Sequence, residues 1–93
     1  MYKVETTTKF RKGLNKLDPY IRKMIIAWIR KNLVDCDNPR IQGKSLKGEF
    51  EGLWRYRIGD YRIICEIEDE KLVILAIAVG HRNSIYLHES NEE

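Results

Sequence analysis

The stretch from Leu53 to Ile67, LWRYRIGDYRIICEI, constrains the fold more than any other part of the chain. Two runs rich in β-branched and aromatic residues flank Gly59-Asp60. A Gly-X pair suits a two-residue hairpin turn. Such a turn fixes the register: Ile58 faces Tyr61, Arg57 faces Arg62, Tyr56 faces Ile63 and Arg55 faces Ile64. Because strand side chains alternate, Trp54, Tyr56 and Ile58 share a face with Tyr61, Ile63, Cys65 and Ile67. Arg55, Arg57 and Arg62 fall on the other face, together with Ile64 and Glu66. A turn at Glu68-Asp69-Glu70 then leads into Leu72–Val79, which is apolar on both faces and so belongs in the sheet interior.

The upstream half reads as one strand and two helices. Tyr2, Val4 and Thr6 alternate with Lys3, Glu5 and Thr7, as in a short strand. Phe10, Leu14 and Leu17 recur at helical spacing, with Thr7 or Thr8 as the cap. Asp18-Pro19 opens a second helix, since an aspartate cap before a proline is a strong helix start. Ile21, Met24, Ile25, Trp28, Ile29 and Leu33 form its apolar stripe, and the helix should end near Val34, ahead of Asn38-Pro39. A polar connection containing Gly43, Gly48 and Gly52 follows. The expected fold is α+β in the order β-α-α-β-β-β. Its N-terminal strand and αα-hairpin pack on one face of a small, mostly antiparallel sheet. With 93 residues, one domain spanning 1–93 is the expectation.

Several function classes are disfavoured. No run reaches the length of a transmembrane helix, and the N-terminus lacks the apolar block of a secretory signal, so a cytoplasmic location is expected. Cys36 and Cys65 are too few for a disulfide framework and read as free thiols. They sit in no metal-ligand spacing, and His81 and His88 supply no second pair. The net charge of +3 is mild, but its distribution is informative. Between residues 40 and 62, Arg40, Lys44, Lys47, Arg55, Arg57 and Arg62 outnumber Glu49, Glu51 and Asp60. The 66–70 and 89–93 segments are acidic. A basic middle between acidic flanks suggests a local anion site.

Like charges directly opposite each other on a sheet are unfavourable, with side chains starting about 5 Å apart. Stability alone does not call for Arg55, Arg57 and Arg62 on one face. They either fan into water and pair with Glu66 and nearby acids, or converge on an anion, most economically a phosphate held by guanidinium forks. Past the third strand, Gly80-His81-Arg82 and then Tyr86 are expected beside the same face. They would supply a proton-transfer group, a further cation and an aromatic plate for a base. Those are the parts for gripping or cleaving RNA.

Leu46-Lys47-Gly48, Gly52–Ile64 and Ala78–Tyr86 together resemble the RelE/ParE toxin superfamily, the toxin halves of bacterial toxin–antitoxin pairs. The helical hairpin fits in length and position, so the resemblance covers essentially the whole chain. The ending Gly80-His81-Arg82 with Tyr86 is similar to the RelE branch. The resemblance implies an mRNA endonuclease acting in the ribosomal A site, where the 2′-hydroxyl attacks the adjacent phosphate without a metal or cofactor. It implies Arg55 and Arg57 as the paired basic positions, Arg62 as the phosphate-binding arginine, Arg82 as the arginine after the last strand and Tyr86 as the stacking tyrosine. Lys44 and Lys47 extend the RNA-binding set. Some RelE proteins carry lysines at the first pair. An arginine stays protonated and is a poor general base, which leaves His81, and behind it Glu66, for proton transfer. The implied partners are a RelB-like antitoxin with an acidic or amphipathic segment, the ribosome and mRNA. The rival readings are a ParE-like poison of DNA gyrase, which has no need of His81, Arg82 and Tyr86, and a degenerate toxin that only binds its antitoxin.

Overall fold

A computed structural model describes residues 1–85, so Tyr86 and His88 lie outside the described residues. Strand β1 (Lys3–Thr6) leads directly into helix α1 (Thr8–Asn15). Thr7 makes the junction. Its Oγ1 accepts from the Phe10 N–H at 3.0 Å and donates to the Ile77 carbonyl at 3.0 Å. The cap of α1 is thereby bonded to the central sheet. Asp18 caps α2 (Pro19–Asn32) by accepting from the Tyr20 N–H at 3.0 Å, and Pro19 occupies the helix start, where a missing N–H goes unnoticed.

The apolar stripe of α2 lands as its spacing predicts. Ile25 and Ile29 are buried, while Ile21, Met24 and Trp28 pack on the core. Trp28 meets Tyr56 with ring centroids 5.6 Å apart. The helix stops slightly short of Val34 because Leu33 turns into the core and Asp35 adopts a left-handed φ of 62°. That reversal lets the Asp35 N–H and the Cys36 carbonyl bond Tyr2, each at 2.9 Å.

The remaining strands are β2 (Lys44–Ser45), β3 (Trp54–Ile58), β4 (Tyr61–Glu68) and β5 (Val73–His81). They form one sheet with β1 in the order β1-β5-β4-β3-β2, antiparallel except for the β1–β5 pair. The β3–β4 register is the expected one, from Ile58↔Tyr61 to Arg55↔Ile64. Gly59 takes a φ of 59° in the turn while Asp60 does not go positive, as a type II′ hairpin requires. As expected, β5 lies inside the sheet.

Three features go beyond the sequence reading. Strand β2 adds a short edge, set by Gly43, where any Cβ would run into the Trp54 indole and the Arg55 carbonyl. A bulge shifts the β4–β5 register so that Ile64 pairs with Ala78 and Cys65 with Ala76, leaving Ile77 free to present its carbonyl to Thr7. The helix-free face also holds more apolar surface than expected, since Ile64 and Val73 are both only 7% exposed.

Burial and one polar network hold the frame together. Tyr56 is fully buried and its hydroxyl donates to the Pro39 carbonyl at 2.6 Å. Asp69, in the short turn between β4 and β5, accepts from the Tyr2 hydroxyl at 2.7 Å and from both Nη atoms of Arg40 at 3.0 Å. These two donors hold the Asp69 carboxyl below its usual range, Arg40 first and Tyr2 second. The network joins the N-terminus, the loop after α2 and the β4–β5 turn.

Candidate nucleic-acid interface

The hairpin register puts Arg55, Arg57 and Arg62 on the sheet face opposite the helices, because their alternates Tyr56, Ile58 and Ile63 fill the core. Lys44 of β2 pairs with Arg55 and joins the same face. Four cations therefore cross three adjacent strands spaced about 4.8 Å apart. Along β4 the face changes sign, from Arg62 past Ile64 to Glu66 and Glu68. The acids sit toward the far end of the strand, opposite Leu75 and Val73 of β5. Lys47 is exposed beyond β2, at the start of the short turn Gly48–Phe50.

The arginines differ in their surroundings. Arg57 is exposed. Arg55 is half-buried, and its Nε is enclosed without a hydrogen-bond partner among the described residues. An enclosed guanidinium N–H without an acceptor is costly, and an anion on this face would relieve it. Arg62 does not reach across to Arg57. Its Nη1 donates to the Gly59 and Tyr61 carbonyls at 3.3 Å each, which turns the head toward the hairpin loop. Directly opposed guanidinium groups repel each other, and these carbonyls give the Arg62 head a partner away from Arg57.

Arg82 lies at the same loop. Its N–H donates to the Asp60 carbonyl at 2.7 Å and its Nε approaches the Asp60 carboxylate at 3.9 Å. His81 does not join the arginines as expected. It pairs with Tyr61, and alternation turns both side chains to the helix side, with ring centroids 5.4 Å apart. Its Nδ1 accepts from the Asn83 N–H at 3.1 Å. The phase of β5 beyond the Ile77 bulge decides this placement, and no local residue pattern signals the bulge. Tyr86, expected to stack on a base, lies outside the described residues.

On the helix side, α1 and the end of β5 bound an open groove of about 910 Å³. Lys9, Lys12 and Lys16 line it from the helix, and Tyr61, Val79, His81 and Ile85 from the sheet side. The three lysines recur at helical spacing, a signal present in the sequence itself.

This arrangement matches known proteins along nearly the whole chain. Residues 4–86 match the family described as the ParE toxin of type II toxin–antitoxin systems, parDE. The chain belongs to the RelE/ParE toxin superfamily. Within it, the chain is 34% identical to toxin RelG of Mycobacterium tuberculosis, over 91% of this chain and 95% of the relative. It is 29% identical to toxin RelE of the same organism, over 91% of this chain and 86% of that one. The toxin–antitoxin complex RelBE2 of M. tuberculosis contains a chain that superposes with a TM-score of 0.80 at 33% identity, covering 87% of this chain and 91% of that one. The superfamily's β-α-α-β-β-β fold is the one expected from the sequence, with β2 added at the edge.

Proposed function

We propose that this superfamily member is a ribosome-dependent mRNA endonuclease toxin, restrained by a RelB-like antitoxin. The observation that carries the reading is the set Arg55, Arg57 and Arg62 on the helix-free sheet face, with Arg82 held at the adjoining turn. Guanidinium groups at these positions bracket one RNA phosphate and neutralise the charge that grows on it when a 2′-hydroxyl attacks. The 2′-oxygen forms the new bond to phosphorus, and the bond to the 5′-oxygen breaks. The products are a 2′,3′-cyclic phosphate and a 5′-hydroxyl. Arg82 stabilises or protonates the leaving oxygen, and Tyr86 stacks on a base.

Proton removal falls to His81. It sits around the sheet end from Arg62, so the RNA must cross that end at the β3–β4 turn for the imidazole to reach the 2′-hydroxyl. Glu66 is less suited, lying past Ile64 on the acidic half of the face. The groove between α1 and β5, with its apolar floor and lysine rim, suits the antitoxin segment.

Brief induction followed by primer extension on cellular mRNA tests the reading. Cuts confined to translated regions are expected. Intact mRNA with gyrase trapped on DNA would transfer the chain to the ParE mode.

A further inference from the structure

The densest charge on the chain lies on the helices and not on the arginine face. From residue 7 to residue 34 there are eight basic side chains and a single acid, Asp18, whereas residues 35–93 carry more acids than bases. Asp18 is engaged as the cap of α2, and neither helix has an acid in its first turn. A helix selected for stability would place acids there and would alternate signs at i,i+4 spacing. Here both devices are missing.

Within this layer, α2 presents one exposed stripe: Tyr20, Lys23, Ala27, Arg30 and Lys31. Tyr20 is 73% exposed. Lys23 and Arg30 are two turns apart, about 10 Å along the axis. Arg11 and Arg22 of the same layer are tied to backbone carbonyls. Lys23, Arg30 and Lys31 have no ion pair or hydrogen bond among the described residues.

We infer that this α2 stripe docks on the phosphate backbone of folded ribosomal RNA, apart from the surface that meets mRNA. The inference rests on the proposed ribosomal activity for its choice of RNA. The helices cover one sheet face and the arginines occupy the other, so a chain held through α2 leaves its arginine face open to a second RNA strand. A protein partner fits the stripe poorly. A docked peptide helix needs apolar anchors at i, i+3 and i+4, and the middle of this stripe offers only Ala27 between cations. Phosphates need only cations, and Tyr20 adds a ring against which a ribose or base can lie.

Binding of fluorescently labelled toxin to 70S ribosomes without mRNA, across a salt series, tests the inference. The variant Lys23→Gln/Arg30→Gln/Lys31→Gln keeps helix-forming side chains while removing the charges. Binding should weaken about tenfold or more near physiological salt, and the salt slope should fall by about 2 to 3, since each lost phosphate contact removes about 0.7–0.9. Ala27→Glu, a single exposed change, should also weaken binding and covers the case of a poorly folded triple variant. Cleavage on saturating ribosomes should match the parent. If the parent binds ribosomes through α2 yet cuts no message, the inference stands and the endonuclease reading fails. Unchanged affinity and slope in the variants would overturn the inference even if the parent cuts mRNA. So would failure of the parent to bind ribosomes, or loss of antitoxin binding alone.

Discussion

At the residue scale, Arg62 is the side chain on which the proposed chemistry depends most. It faces Arg57 across the hairpin and already directs its head to the loop that holds Arg82. Arg62→Ala should lower the cleavage rate about 100- to 1000-fold, the usual loss for a group that stabilises a developing oxyanion. Arg62→Lys should recover only part, because a point charge does not reproduce the fork. Unchanged thermal melts for both would assign the loss to chemistry. His81→Gln should slow cleavage on saturating ribosomes at least about tenfold, and an unchanged rate would make the histidine structural. Among buried residues, Tyr56→Phe strands the Pro39 carbonyl and should destabilise the protein by about 1–3 kcal/mol, read from denaturant unfolding. Burial pushes the Cys65 thiol up to about 12. An alkylating reagent at mildly alkaline pH should therefore leave Cys65 unmodified until the protein is unfolded.

At the element scale, the network around Asp69 governs how three chain segments stay joined under acid. The Asp69 carboxyl is held below its ordinary range by Arg40 and Tyr2. A carboxyl whose folded pKa is depressed contributes stability that is present above its unfolded pKa of about 3.9 and is lost as pH falls through the folded value. The urea midpoint of the parent should therefore drop below about pH 4 by more than that of Asp69→Asn. Equal drops would remove the network from the account. At this same scale the sequence was most legible. Gly59-Asp60 set the hairpin register, and Asp18-Pro19 set the start of α2, because each signal is local chemistry. The bulge at Ile77, the edge strand β2 and the burial of Ile64 were not legible, since all three arise from contacts between segments distant in sequence. The missed bulge had a direct cost: it alone puts His81 on the helix side instead of beside Arg62. The arginine face itself was readable from alternation, but the Arg62 head, turned to the Gly59 and Tyr61 carbonyls, was not.

For the whole molecule, the sheet separates two charged surfaces. Arginines stand on one face, and the lysine-rich helices cover the other, so the chain can meet polyanions from both sides. No helix among the described residues is long and apolar enough to cross a membrane. Such a layout fits the proposed work inside a nucleic-acid assembly, and the groove beside α1 is the proposed seat of an antitoxin segment. Single-turnover cleavage of a defined mRNA on purified, programmed ribosomes tests the central claim most directly, with the parent and Arg57→Ala/Arg62→Ala compared side by side. The parent should cut at the A-site codon and leave a 2′,3′-cyclic phosphate, and the double variant, equally folded, should cut at least about 100-fold more slowly. Equal cutting by both proteins, or no cutting by the parent, would contradict the account.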